Sequence, residues 1–415
     1  MNDKQSFLFD ILEPLAENGT APARGCSTFG VGYNDTFDRL CKVYVDGQLK
    51  RGKSAEKFVI GPFGSGKSHF LRHFMEIAET KNCVTAEVAL SKDVDFTKSL
   101  LVYKEVAREI GFRGEKVRGI SAFLEKCVEK IMDDFVDSPD EAEEMTRSVI
   151  KALDRQSFKD NSFGRAAQQA LQASIDNDQE KFQQLSRWLG GEVGEAALAR
   201  QLGFSRITKA EEARYGLHAL FSLCQLVRHV GFRGTVICFD EAEQGFDVGK
   251  KQKDKILSML QSSINASQDV EDGSLLMLYA VTPDIVEEMM NFAALQQRIE
   301  DPGERRGFFD GNTRAPKIDL TESPSRSDDP VKELSDIGTA LVNLLYDSAG
   351  EEIKIERAET IEHVKDVARQ VAETDVTLSN RRSMVKQVAA ELLHLHETGR
   401  LEFGASRDEG PEPEV

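Results

Sequence analysis

The sequence predicts an α/β fold: a parallel sheet interrupted by a large helical insertion and followed by a C-terminal helical lid. Three observations lead there. Within about 35 residues, 57–60 read as a short strand, 61–68 as a glycine-rich turn, 67–81 as a helix and 83–90 as a second strand, the opening of a parallel sheet. Two later apolar runs, 235–239 and 275–281, are short and unbroken, as strands buried on both faces are. Between the two pairs, residues 96–230 carry helical spacing almost throughout.

The elements follow in order. Residues 1–17 read as an amphipathic helix with Phe7, Leu8, Ile11, Leu12 and Leu15 on one face, broken by Asn18-Gly19 and Pro22. Residues 34–50 read as a helix closed by Arg51-Gly52-Lys53. The insertion, about 95–230, has loop signals at 111–119, 138–140 and 190–194. Residues 303–330 are rich in Gly, Pro, Ser and Asp, a linker with one strand-like piece at 317–320, and 331–397 are helical again. The predicted organisation is a core over 1–320, a helical lid over 331–405 and an acidic tail, 406–415, expected to be disordered.

The 415 residues suit two to three domains at ~150 residues each. Lys and Arg number 53 against 71 Asp and Glu, a net charge of −18. That excludes a uniformly basic DNA-coating protein but not a local basic groove. The six cysteines form no CxxC pair, so they read as small buried thiols rather than zinc ligands. The first residues lack the basic and long apolar regions of a signal peptide, and no run approaches 18 apolar residues. The expected compartment is a reducing cytoplasm, with no membrane.

Gly61-Pro62-Phe63-Gly64-Ser65-Gly66-Lys67-Ser68 fits G-x-x-x-x-G-K-[ST] without a mismatch, with a strand before it and a helix after it. Glycines permit the positive φ that turns successive N–H groups inward around a phosphate. Lys67 is then placed to reach β- and γ-phosphates of ATP, Ser68 to put its hydroxyl on Mg²⁺, and the following helix to add its positive end. The cofactor-binding residues expected are Gly61, Phe63, Gly64, Ser65, Gly66, Lys67, Ser68 and His69.

The run 235–239 ends in Asp240-Glu241, at the strand end where α/β sheets place ligands. Asp240 is the second expected Mg²⁺ ligand. Glu241 is the expected base that deprotonates the attacking water. Thr282 ends the run 275–281, a strand expected beside that of Asp240. Its hydroxyl either contacts the water or γ-phosphate, or caps the helix starting at Pro283. Arg298, on the next helix, reads either as an arginine finger acting in trans or as a solvated charge, with Arg305 and Arg306 as rivals. Asn380-Arg381-Arg382 opens a late helix, where the macrodipole disfavours cations; Arg382 is the expected lid-side phosphate contact. Ser138 reads as a helix cap in an acidic solvated stretch, and Trp188 as a packing anchor. His69 and His73 stand four apart in the helix after the loop but read as structural, and no metal beyond Mg²⁺ is expected.

This order of motifs resembles an AAA+/STAND-type P-loop ATPase of the ASCE-like class. More narrowly it is similar to the BrxD-like ATP-binding proteins of BREX bacteriophage-defence systems. The resemblance rests on residues 19–25 with Val31-Gly32, on 64–71, on Ala86-Glu87-Val88, on Arg187-Trp188-Leu189-Gly190-Gly191-Glu192, on Asp240-Glu241-Ala242-Glu243 and on Thr282-Pro283-Asp284. Two departures stand out: Tyr33 follows Gly32 where related ATPases often have arginine, and Arg381-Arg382 lacks the Pro-Arg pair common there. The resemblance implies Mg²⁺-dependent ATP hydrolysis in anti-phage defence, alongside helicase or DNA-modification partners. DNA contact would be local or through those partners, and assembly into a homo-oligomer is left open. A low-turnover nucleotide-gated switch and an origin-recognition-like DNA loader are the alternatives.

Overall fold

A computed structural model describes residues 3–90, 95–112, 115, 117–135, 139–246, 248–300, 307–323, 329–349, 353–374 and 380–401. The tail 406–415, Ser138, Arg305 and Arg306 lie outside these residues. The chain opens with α1 (Asp3–Asn18), α2 (Cys26–Phe29) and α3 (Asn34–Leu40). The last runs on through a π-helical stretch, Cys41–Gln48, and a 3₁₀ turn, Leu49–Arg51. β1 (Ala55–Ile60), α4 (Lys67–Thr80) and β2 (Cys83–Ala89) follow. The insertion holds α5 (Ser99–Glu109), α6 (Ile120–Asp133), α7 (Pro139–Ala152), α8 (Asn161–Ile175), α9 (Gln179–Leu189), α10 (Ala196–Leu202) and α11 (Glu212–His229). Then come β3 (Gly234–Asp240), α12 (Ala242–Phe246), α13 (Lys250–Gln268), β4 (Leu275–Val281), α14 (Pro283–Met290), α15 (Ala293–Ile299) and β5 (Lys317–Asp319). The chain ends in α16 (Pro330–Ala349), α17 (Arg357–Thr374) and α18 (Asn380–Thr398).

These elements form two compact units. The larger, Asp35–Gly61 with Phe74–Leu320, contains the sheet and the insertion. Its five strands run in the order β2-β3-β4-β1-β5, all paired in parallel. As expected, β4 lies directly beside β3. Every position of β3 and β4 is buried, which explains why their sequences are continuous apolar runs rather than alternations. Tyr279 on β4 stacks between its register partners, Phe58 on β1 at 5.4 Å and Phe239 on β3 at 4.8 Å. Offset stacks of this kind add about 0.5–1.5 kcal/mol to the area they bury.

The insertion shares one hydrophobic core with the sheet. Tyr103, Phe123, Phe163, Trp188 and Phe221 are fully buried in it, each contributing roughly 1.5–3 kcal/mol by burial. Trp188 stacks on Phe204 at 5.2 Å, the packing role its sequence context suggested. All six cysteines are free and buried. α11 packs closely on α5 at Gly216: a Cβ there would lie 2.3 Å from the Leu100 nitrogen and 2.4 Å from the Ser99 carbonyl carbon. Those atoms are backbone and cannot rotate away. Gly216→Ala is therefore expected to destabilise this unit by about 1–3 kcal/mol, read as a lower denaturant midpoint at unchanged m-value.

The smaller unit comprises Met1–Asn34, Pro62–His73 and Thr321–Val415. Its core is helical: Leu8, Ile11, Leu12 and Leu15 of α1 pack with apolar faces of α16, α17 and α18. The i, i+3, i+4, i+7 spacing of α1 is repeated in Val364, Val367, Ala368 and Val371 of α17. Residues 62–73, which carry the glycine-rich loop, belong to this helical unit by their contacts.

Candidate functional site

The loop leaves β1 at Gly61, whose N–H donates to the Val281 carbonyl at 3.2 Å. Ser65 N–H donates back to Pro62 at 3.3 Å, closing a tight turn. Gly64 and Gly66 have φ of 77° and 91°, left-handed conformations that a side chain resists. Gly66 carbonyl accepts from Phe70 N–H at 2.9 Å, which starts α4. Lys67, the first residue of α4, is largely buried; its Nζ donates to the Pro62 carbonyl at 3.3 Å and sits 5.3 Å from the Phe63 ring centroid. Phe63 itself is 71% exposed. The Ser65 hydroxyl is buried without a hydrogen-bond partner. This is a cradle of the kind that takes an anion: positive-φ glycines, a helix start and a lysine together. The residues present therefore fit a nucleotide phosphate.

His69 lies one turn into α4, against Phe29 at 4.7 Å and His73 at 5.8 Å. Burial, with His73, Arg381 and Arg72 nearby, pushes its pKa down to about 3, so its imidazole is neutral and adds no charge to the loop. Arg72 donates to the Ala21 carbonyl and, at 3.4 Å, to that of Pro22, tying α4 to the segment after α1.

The two arginines that open α18 have separate partners. Arg382 is exposed and donates through Nε and Nη2 to the Asn18 carbonyl at 3.2 and 3.0 Å. A cation at the C-terminal end of α1 is favoured by that helix's dipole. Arg381 is buried. It donates to both carboxylate oxygens of Glu333, to the Tyr33 hydroxyl and, at 3.1 Å, to the Ser65 carbonyl of the loop. Burial works against its charge, and the Tyr33 and Glu333 oxygens outweigh it. So it is Arg381 that meets the loop, while Arg382 meets α1.

In the sheet-bearing unit, the carboxyl ends of β1, β3 and β4 share one edge: Ile60 pairs with Val281, and Phe239 with Tyr279. Gly61, Asp240, Glu241 and Thr282 thus fall at the edge where parallel sheets bind ligands. Asp240 is nearly buried, its Oδ1 accepting from Glu241 N–H at 2.9 Å and its carbonyl from Leu90 N–H at 2.9 Å. Glu241 is exposed and has φ 53°, a conformation costly for a residue with a Cβ and one that clusters at functional sites. Its Oε2 accepts from Gln244 Nε2 at 2.7 Å.

Thr282 occupies the N-cap position of α14, its carbonyl accepting from Val286 N–H at 3.2 Å. Its hydroxyl does not cap: it is buried with no hydrogen-bond partner. A buried hydroxyl left unsatisfied is costly; Ser186, Tyr215 and Thr235 carry such hydroxyls too, and that of Thr282 is set apart by its place at the carboxyl end of β4. Arg298 on α15 is exposed; its Nε donates to Asn265 Oδ1 at 2.8 Å and its Nη1 to the Ala294 carbonyl at 2.7 Å. Ser68 is half-buried in the first turn of α4.

The family model for the BREX system ATP-binding protein BrxC/D matches residues 8–403. The chain belongs to that family. No curated protein and no solved structure matches it. As a BREX system ATP-binding protein it spans both compact units with the match. Among the described residues no helix is long and apolar enough to cross a membrane. Two residues that sequence reasoning did not single out, Tyr33 and Glu333, are the side-chain partners of Arg381 beside the loop. Tyr33 showed only as a departure from related ATPases, and Glu333 is one acid on an ordinary amphipathic helix.

Proposed function

We propose that the chain binds Mg²⁺–ATP and hydrolyses it to ADP and phosphate as a component of BREX-type anti-phage defence. Lys67 binds the β- and γ-phosphate oxygens. Ser68 and Asp240 hold Mg²⁺, which when bound neutralises phosphate charge. Glu241 takes a proton from water as the water oxygen bonds to the γ-phosphorus. The bond to the β–γ bridging oxygen breaks and its electron pair leaves with ADP. The orphaned Thr282 hydroxyl orients that water, and residues 331–405 act as a lid. The nucleotide cycle drives assembly or remodelling of partner proteins from the same defence system. Those partners are helicase or DNA-modification components, with DNA met locally or through them and the chain working as a homo-oligomer in the cytoplasm.

The observation that carries this reading is the pair Asp240–Glu241: one carboxylate buried at a strand end, the next exposed in a left-handed conformation. A low-turnover switch is the second reading, and the Gln244 amide on Glu241 favours it, because that amide competes with water for the carboxylate. One assay separates the two. Phosphate release from ATP that stops on chelating Mg²⁺ is expected for the wild type, with little change in Gln244→Ala. Negligible release that rises severalfold in Gln244→Ala identifies the switch. No release and no ATP binding in either protein would overturn both.

A further inference from the structure

Arg381 faces the carbonyl side of the glycine-rich loop. Its guanidinium has five N–H donors. Nε and one Nη2 proton go to Glu333, and Nη1 serves the Tyr33 hydroxyl and the Ser65 carbonyl. The guanidinium also lies over the Tyr33 ring, 5.3 Å from its centroid. Four donors are used, so one Nη2 proton remains. A side chain so committed has little left with which to grip a phosphate. Its contact with the loop is instead with a peptide group. A trans peptide is planar, with C=O and N–H pointing opposite ways. Holding the Ser65 carbonyl on Arg381 therefore aims the Gly66 N–H away from Arg381. N–H groups are what such a loop offers to an anion. Gly66, at φ 91°, has open space where a Cβ would be except for Arg381 Nη1 at 3.6 Å, so the guanidinium packs directly against the peptide it orients.

Three segments far apart in the chain supply this cluster, and its members are buried: Tyr33, Glu333 and Arg381 are each under one-tenth exposed. We infer that Tyr33, Glu333 and Arg381 form a brace that preorganises the phosphate loop, with Arg381 acting on the loop's peptide rather than on the nucleotide. Glu333 and Tyr33 are positioning residues: they fix the plane of the guanidinium, and the guanidinium fixes the peptide. The inference rests on the loop being the nucleotide site. It deepens that reading by assigning loop shape, and hence affinity for any nucleotide with a β-phosphate, to residues that do not touch the ligand.

The test is calorimetric binding of Mg²⁺–ATP and of Mg²⁺–ADP to the full chain carrying Arg381→Lys, Glu333→Gln or Tyr33→Phe, with Lys67→Ala in parallel. A brace predicts that both nucleotides weaken by the same factor, roughly 10- to 100-fold for Arg381→Lys and Glu333→Gln, the scale on which small misplacements act. The loss should be smaller for Tyr33→Phe, which keeps the ring and removes only the acceptor. The ratio of ATP to ADP affinity should stay at its wild-type value, and turnover at saturating ATP should hold while KM rises. An arginine that touches the γ-phosphate would instead weaken ATP and leave ADP unchanged, which overturns the brace. Wild-type binding of both nucleotides in Arg381→Lys and Glu333→Gln, with Lys67→Ala inactive in binding, also overturns it while leaving the nucleotide site intact. Wild-type binding in Lys67→Ala overturns the nucleotide site and the brace together. Tyr33→Phe keeps the test open if the two charge variants fail to fold.

Discussion

Glu241→Gln is expected to bind Mg²⁺–ATP as the wild type does and to release phosphate at least about 100-fold more slowly. The lower bound is what a positioned general base contributes. The carboxamide keeps the size of the side chain and an oxygen for Gln244 Nε2, which now bonds Oε2 at 2.7 Å, but it cannot take the proton from water. Glutamine adopts φ 53° no more readily than glutamate, so folding should be unchanged. Asp240→Ala should behave differently. Asp240 is nearly buried and its Oδ1 accepts from the Glu241 N–H; removing it takes away both the proposed Mg²⁺ ligand and the support of the turn that presents Glu241. That variant should lose affinity for Mg²⁺–ATP. Nucleotide binding and phosphate release measured on both proteins check the division of roles. Equal loss of binding in the two would sink it, and undiminished turnover in Glu241→Gln would mean the base is another residue.

Much of the sheet was legible because its strands are buried on both faces. β3 and β4 have no exposed position, so their sequences could not alternate, and a short unbroken apolar run was the result. The glycine-rich loop was legible for another reason: two left-handed positions, Gly64 and Gly66, restrict composition at fixed spacing. The rest depends on contacts that leave no local mark. α1 shares a core with α16, α17 and α18, yet its amphipathic pattern says only that it packs on something. The π-helical stretch Cys41–Gln48 has the same composition as ordinary helix. At Arg381 and Arg382 the pattern showed two cations where the macrodipole disfavours them, but not which would face the loop. Consecutive helix residues point about 100° apart, so the two could not share one partner. Glu333 and the Asn18 carbonyl decide the matter, and both are distant in sequence.

Arg298→Ala is expected to bind ATP normally and to turn it over about 10³- to 10⁵-fold more slowly, the range seen when an arginine finger is removed from phosphoryl transfer. The guanidinium is exposed on α15, held by Asn265 Oδ1 and its own helix's Ala294 carbonyl. Both partners are neutral, so its positive charge is not cancelled by either of these bonds and stays available to a second copy of the chain. If a neighbouring subunit supplies it, the specific activity of the wild type must rise with protein concentration. Lys67→Ala should lose tight ATP binding, because Lys67 is the cation at the start of α4 beside the loop, already within 3.3 Å of the Pro62 carbonyl. Mixing the two inactive variants should then restore part of the activity: one subunit contributes an intact loop, the other an intact arginine. Specific activity that is flat with concentration, together with no rescue on mixing, would place Arg298 outside the reaction. Its two hydrogen bonds would then be its whole role, tying α15 to α13, and activation would have to come from a partner protein.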